Sequence, residues 1–220
     1  MSSLTVRAPT GFKWLGDRAI ALRAEGTPVI FMYEEALGYC LGNVVCDKDG
    51  VSAASVFYEM AGVLKRERGL TVKQHLQNLY TTYGEFVSYN SYVLSHDKAV
   101  TAKIFQQLRT TGPTGGYWTE AVGAKILAIK DITVGYDSTT ADLKSPLPTT
   151  PDSEMIMFEF DNGVSVTLRT SGTEPKIKYY TEIAGQPGAP RAVAEEILHV
   201  FVDNLVNAML NPDEYGLTRA

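Results

Sequence analysis

Arg169-Thr-Ser-Gly-Thr-Glu-Pro-Lys176-Ile-Lys178-Tyr-Tyr180 sets small hydroxylated residues and a glycine between one arginine and two lysines. Before it, Val164-Ser-Val-Thr-Leu168 alternates apolar with polar residues. After it, Ile177 to Thr181 is rich in strand-forming residues. The spacing therefore predicts two strands joined by a loop over Thr170 to Pro175, with Gly172 admitting close backbone approach and Pro175 stiffening the exit. A guanidinium at Arg169 is able to clamp two phosphate oxygens. Ser171 and Thr173 can donate hydroxyls, and Lys176 or Lys178 adds compact positive charge. On spacing alone, an ordinary turn carrying solvated charges explains the same residues equally well.

Working back from this loop, Met155 to Phe160 reads as a buried strand. Asp161-Asn-Gly163 reads as the hairpin turn that returns the chain into Val164 to Leu168. Ile126 to Tyr136 reads as a strand bending near Asp131, and the proline-containing stretch Ser138 to Asp152 as a long exposed excursion. Beyond the loop, Ala192 to Leu210 predicts a helix with Val193, Ile197, Val200, Phe201, Leu205 and Met209 on one stripe. Ser95-His96-Asp97 starts a helix through Leu108 with Val100, Ile104, Phe105 and Leu108 on one face. Three consecutive residues at a helix start cannot form a proton relay, so this tripeptide is not a hydrolase triad.

The N-terminal part has a different rhythm. Leu15 to Ala24 predicts a helix and Val29 to Tyr33 a strand, with Glu34 and Glu35 at its carboxyl end, where open α/β sheets place ligands. Two carboxylates beside Gly38 suit sugar hydroxyls; an acidic strand end in water is the plainer reading. Asp47-Lys-Asp-Gly50 lacks the later ligands of a calcium loop and reads as the start of a helix over Val51 to Leu64. That helix is rich in small residues and is expected to pack closely on a sheet. A second helix opens at Leu70 with Thr71 as its cap, and its lone His75 reads as structural. Tyr83-Gly84 breaks the pattern before a strand over Glu85 to Leu94, which places a domain boundary there: 1–83, then 84–220. The fold expected is α/β followed by α+β.

The 220 residues are 45% hydrophobic, enough for one good core or two modest ones, and the formal charge of −5 gives no general attraction to nucleic acid or anionic membrane. Cys40 and Cys46 lack a zinc-site pattern and read as free thiols of a cytoplasmic protein. No apolar run is long enough to span a bilayer.

The run from Arg169 to Lys176 closely resembles the phosphate-binding loop of the α-D-phosphohexomutases, which move a phosphoryl group between two hydroxyls of one sugar. Thr10-Gly-Phe-Lys-Trp14 resembles that family's third-domain Thr-Gly-x-Lys loop, and Tyr33-Glu-Glu-Ala-Leu-Gly38 resembles its sugar-recognition loop. The spelling is most similar to the phosphoglucomutase-2 branch, which includes phosphopentomutase and glucose 1,6-bisphosphate synthase. The resemblance implies a truncated third domain (α/β, mixed sheet) over 1–83. It implies a TATA-binding-protein-like domain (antiparallel sheet with two helices) over 84–220. It also implies roles. Arg169, Ser171, Gly172, Thr173 and Lys178 would hold the phosphate that is not reacting, and Glu34, Glu35 and Gly38 would face the sugar. Lys13 would lie near the reacting hydroxyl as acid, base or electrostatic partner. Ala36 stands where glucose and mannose mutases often carry Ser, which weakens the case for strict hexose recognition.

The resembling enzymes also need a phosphoserine donor, magnesium held by aspartates, and in some cases a glucose 1,6-bisphosphate activator. Neither the serine loop nor the magnesium loop occurs in this sequence. The sequence reads as starting in mid-protein. Two functions follow as alternatives: the substrate-gripping part of a sugar-phosphate mutase, or a non-catalytic phosphosugar binder. A truncated first domain would also leave apolar surface for self-association.

Overall fold

The computed structural model describes residues 5–9, 11–34, 37–112 and 115–220. The chain divides into two compact units, Met1–Asn78 and Leu79–Ala220.

In the first unit α1 (Phe12–Ala24) is followed by β1 (Phe31–Glu34) and β2 (Gly38–Leu41), then α2 (Gly50–Arg68) and the start of α3 (Val72–Tyr83). β1 and β2 pair antiparallel, closing at Glu34 opposite Gly38. The sequence reading put Glu34 at the carboxyl end of a strand in an open mixed sheet. Among the described residues it instead ends the first arm of a two-stranded ribbon. The small core comprises Phe12, Ala19, Met32 and Cys40.

α2 begins where Asp47-Lys-Asp-Gly50 predicts, because Asp49 Oδ1 accepts from Val51 N–H and Ser52 N–H at 3.0 and 3.3 Å. It ends at Gly69, whose φ of 66° suits a residue without Cβ. The close packing expected of α2 is not seen: of its residues only Leu64 is buried, while Val51, Val56, Phe57, Tyr58 and Met60 are exposed. α3 starts on a reciprocal cap in which Gln74 N–H donates to Thr71 Oγ1 at 3.2 Å and Thr71 N–H to Gln74 Oε1 at 2.9 Å.

In the second unit the strands are β3 (Phe86–Ser88), β4 (Ser91–Leu94), β5 (Glu120–Ala121), β6 (Ala124–Asp131), β7 (Tyr136–Asp137), β8 (Met155–Phe160), β9 (Val164–Thr170), β10 (Lys176–Ala184) and β11 (Thr218–Arg219). They lie in the order β11-β4-β10-β9-β8-β6-β5, with β3 also on β10 and β7 on β6, and every pairing is antiparallel. The helices are α4 (Lys98–Thr110), α5 (Arg191–Leu210) and the short α6 (Pro212–Tyr215). Ile104, Phe105 and Leu108 of α4 join a continuous core with the inward residues of the sheet and of α5.

The single strand read over Glu85 to Leu94 is two. Between them Thr181 N–H donates to Asn90 Oδ1 at 2.7 Å and Tyr89 N–H to Thr181 O at 3.1 Å, so a side chain replaces one rung of the ladder. The stripe that α5 turns inward keeps Phe201, Leu205 and Met209 of the predicted one but is rotated away from its other three members. Ala194, Leu198, Phe201, Val202, Leu205, Val206, Met209 and Leu210 are buried, whereas Val193, Ile197 and Val200 are exposed. The helix is apolar on two adjacent faces, and periodicity alone does not choose between them. The stretch after β7 is tied down rather than loose: Ser145 N–H donates to Gly135 O at 2.8 Å and Thr150 N–H to Ile132 O at 3.0 Å.

A buried ionic cluster holds one end of this sheet. Asp131, fully buried, accepts from Arg109 Nε at 2.6 Å, from the Tyr117 hydroxyl at 2.9 Å and from Thr133 N–H at 3.0 Å. Arg109 also donates to Glu154 Oε2. Burial works against the Arg109 charge, but the bonds to Asp131 and Glu154 outweigh it and hold its pKa above the ordinary value. Burial, reinforced by the Asp131 carboxylate, pushes the Tyr117 phenol up and keeps it a donor. Asp131→Ala should destabilise the second unit by about 3–5 kcal/mol, because the guanidinium is left buried without its main counter-ion. Urea unfolding followed by tyrosine fluorescence measures this.

Candidate functional site

The candidate phosphate loop is built by strand alternation. Val164, Val166 and Leu168 of β9, and Ile177, Tyr179, Thr181 and Ile183 of β10, face the core, so Thr167, Arg169, Lys176, Lys178 and Tyr180 stand on the opposite, half-buried face. The register sets Arg169 directly opposite Lys178. Two cations in directly opposed positions repel, and an anion between them removes that cost. Ser171, half-buried, and Gly172 and Thr173, exposed, form the loop beside them. The structure thus brings together all five residues that the sequence assigned to the phosphate.

The two lysines are not equivalent. Lys176 Nζ is bound to Glu174 Oε1 at 2.8 Å and lies 4.0 Å from the Tyr92 ring centroid, so it closes the loop on itself. Lys178 is the lysine aligned with Arg169. Ser171 N–H donates to Lys176 O at 2.9 Å and adds to the closure. The Thr170 hydroxyl is spent on Glu154 N–H, at 3.1 Å. The sequence reading missed Tyr180, over whose ring the Arg169 guanidinium sits at 5.6 Å. Alternation from Lys178 would have found it, since the two share a face. Tyr92 was not accessible that way, because cross-strand register is not written in one strand.

In the first unit, Gly11 caps α1 at a φ of 126°, a left-handed-side conformation that favours glycine, and its carbonyl accepts from Trp14 N–H at 3.0 Å. Phe12 and Trp14 are buried and Lys13, between them, is exposed with its ammonium 4.9 Å from the Trp14 ring centroid. A Cβ placed on Gly38 would lie 2.9 Å from Phe12 Cδ2 and 3.0 Å from Glu34 Oε1. Glu34, Gly38 and the start of α1 are therefore one cluster, which joins two motifs far apart in sequence. Lys48 extends it: its ammonium is 5.5 Å from the Phe12 ring centroid and 3.2 Å from Asp47 Oδ1. The sequence reading passed Lys48 over as part of a helix start. Thr10, Glu35 and Ala36, which it did single out, lie outside the described residues. Among the described residues no group of three or more His, Cys, Asp or Glu is disposed to hold a metal, so no donor set here fits the magnesium that the resemblance implies.

The comparisons with known proteins bear on both clusters. Residues 3–83 match the family described as phosphoglucomutase/phosphomannomutase, alpha/beta/alpha domain III. A glucose 1,6-bisphosphate synthase of Homo sapiens is 43% identical over 208 residues, and a phosphopentomutase of Homo sapiens is 41% identical over 210; each alignment takes in 94% of this chain. The chain resembles the C-terminal part of an α-D-phosphohexomutase. A phosphoribomutase of Saccharomyces cerevisiae is 39% identical over 183 residues, 79% of this chain and 29% of its own. The chain spans about a third (33% and 34%) of the two human relatives. The crystal structure of pp63/parafusin, a Paramecium phosphoglucomutase in an open form, superposes with a TM-score of 0.60 at 19% identity, covering 94% of this chain and 34% of that one. At that identity the likeness supports the fold, a mixed α/β chain with an antiparallel sheet.

Two outcomes follow from this geometry. Gly38→Ala drives a methyl group into Phe12 and Glu34 and should cost the first unit about 1–3 kcal/mol by overpacking, read from its urea midpoint. The bond to Lys176 holds the Glu174 carboxyl below its ordinary value, and the same bond raises the Lys176 ammonium. The Glu174 contribution is present above the unfolded carboxylate pKa and is lost as pH falls through the depressed folded value. The Lys176 contribution is present below the unfolded ammonium pKa and is lost as pH rises through the raised one. The clip should therefore hold throughout the range between the two unfolded-state values and open only beyond it, below the depressed Glu174 value in acid and above the raised Lys176 value in base. Chemical shifts of Ser171 and Lys176 amides followed across pH check this.

Proposed function

We propose that this chain is the substrate-gripping part of a sugar-phosphate mutase, an intramolecular phosphotransferase acting on a phosphorylated pentose or hexose. In this reading Arg169, Ser171, Gly172, Thr173 and Lys178 hold the phosphate that stays in place. Glu34, Glu35 and Gly38 face the sugar hydroxyls, and Lys13 lies near the hydroxyl that reacts. The observation that carries the reading is the opposed pair Arg169 and Lys178 beside a hydroxyl-rich loop on the half-buried face of the sheet. The names of the relatives support a mutase of pentose phosphate or a maker of glucose 1,6-bisphosphate, and the latter name points to a bisphosphate sugar as activator or product.

Residues 1–83 serve as the sugar-binding domain and 84–220 as the phosphate-binding domain, the second arranged like the TATA-binding protein. The exposed apolar residues of α2 give the first domain a surface for self-association. Magnesium and a phosphoserine, whose loops this sequence lacks, would be supplied from outside these 220 residues. That same lack favours, as a second reading, a phosphosugar binder with no turnover of its own.

Arg169→Ala should weaken binding of both inorganic phosphate and sugar phosphates by a factor on the order of ten to a hundred, since charge-assisted bonds to phosphate are lost. Glu34→Ala should weaken sugar phosphates only, because a carboxylate facing hydroxyls offers nothing to a bare anion. Titration calorimetry with ribose 5-phosphate, glucose 1-phosphate and inorganic phosphate separates these patterns. No loss in Arg169→Ala would rule out the phosphate loop. A mutase assay with magnesium, expected to show no turnover by this chain alone, tests the division of labour.

A further inference from the structure

We infer that helix α4 is a strut that fixes both ends of the phosphate loop, and that Arg109, in its last turn, is a positioning residue for that loop. The inference rests on reading the loop as a phosphate site, but its geometry is independent of the ligand.

The loop leaves β9 at Thr170 and enters β10 at Lys176, and these two strands are flanked by β8 and β4. Just before α4, Ser95 N–H donates to Pro175 O at 2.8 Å, at the loop's exit. Ser95 is itself buried, and its hydroxyl is bonded to Thr101 Oγ1 on α4 at 2.7 Å. At the other end of α4, Arg109 is anchored on buried Asp131 by Nε and Nη2, at 2.6 and 3.3 Å, and Nη2 also donates to Glu154. The backbone of Glu154 grips the start of the loop: Thr170 N–H donates to Glu154 O at 3.0 Å and Glu154 N–H to Thr170 Oγ1 at 3.1 Å. Both margins of the loop are therefore bonded to residues that the two ends of one helix hold.

The dimensions agree. From β4 to β8 is three strand spacings, about 14 Å, and a helix of 13 residues is about 20 Å long, so α4 reaches across the strands that the loop connects. A planar, forked and permanently charged side chain meets two carboxylates at once in a fixed geometry, which a point-charge ammonium does not impose, and Arg109 is that side chain. The result is preorganisation. The loop's bonds to its own residues close it locally, while the strut sets where the closed loop stands on the sheet, and donors already in place bind an anion without an ordering cost.

Native-state amide exchange and phosphate binding on the 220-residue chain test this with Glu154→Ala, Arg109→Lys and Glu154→Gln. In the first two variants the Thr170 and Ser171 amides should exchange about tenfold faster, with Val166 and Leu168 in mid-strand unchanged, as local rather than global opening requires. Affinity for inorganic phosphate should fall roughly three- to tenfold by the same loss of order. Glu154→Gln, which keeps an acceptor for Arg109, should restore most of both. Equal acceleration along all of β9, or none at Thr170 and Ser171, would overturn the strut and leave Arg109 a stabilising residue only. Should the wild-type chain bind no inorganic phosphate, the phosphate reading fails, and the exchange pattern still decides the role of α4.

Discussion

Everything at the phosphate loop depends on the register between β9 and β10. A slip of one residue by either strand would turn its own apolar set to solvent, Val166 and Leu168 of β9 or Ile177 and Tyr179 of β10, and carry Arg169 or Lys178 into the core. Burying either charge costs several kcal/mol, and losing that strand's apolar contacts adds to it, so the native pairing has no near competitor. The same alternation that builds the core thus aims both cations at one face. The structure does not place a site on a finished fold. The rule that makes the sheet also makes the site.

Register alone fixes strands, and a loop between them is free to lean. The buried cluster of Asp131, Arg109, Tyr117 and Glu154 supplies the missing restraint. Charged groups out of water are weak sources of net stability, but here each is bonded in a defined geometry that few alternative arrangements would satisfy. Asp131 is satisfied from several directions, by a guanidinium, a phenol and a backbone amide. An arrangement so fully bonded is able to transmit position from a helix to the start of the loop.

Much of this was legible in the sequence, for identifiable reasons. The strands around the loop, the Asp161-Asn-Gly163 turn and the helix starts at Asp49, Thr71 and Asp97 are set by neighbours along the chain, so local chemistry reveals them. What was missed is set by neighbours across space. The inward stripe of α5 depends on which of two apolar faces the sheet accepts. The break between β3 and β4 comes from Asn90 bonding to a residue on β10, far along the chain. Asp131 looked like a bend in a strand; its meaning lies in Arg109 and Glu154, which only folding brings to it. Spacing left Lys176 and Lys178 interchangeable and the family resemblance alone singled out Lys178; the position of Glu174 and Tyr92 gives the two lysines different surroundings.

That separation has a chemical logic. A loop that is to receive an anion needs positive charge, yet a loop made only of cations would repel itself open. Glu174 answers this by pairing with Lys176, so that this lysine serves as a clip, while Lys178, two residues on and on the same face, is the one the proposed reading sets against the phosphate. Tyr180 does for Arg169 what Glu174 does for Lys176 in part: its ring supports the guanidinium without cancelling its charge. An acidic residue in place of Tyr180 would hold the arginine as firmly but would offset its charge, which a ring does not. The aromatic ring therefore orients the guanidinium without offsetting its charge, which is what the proposed anion site would require of it.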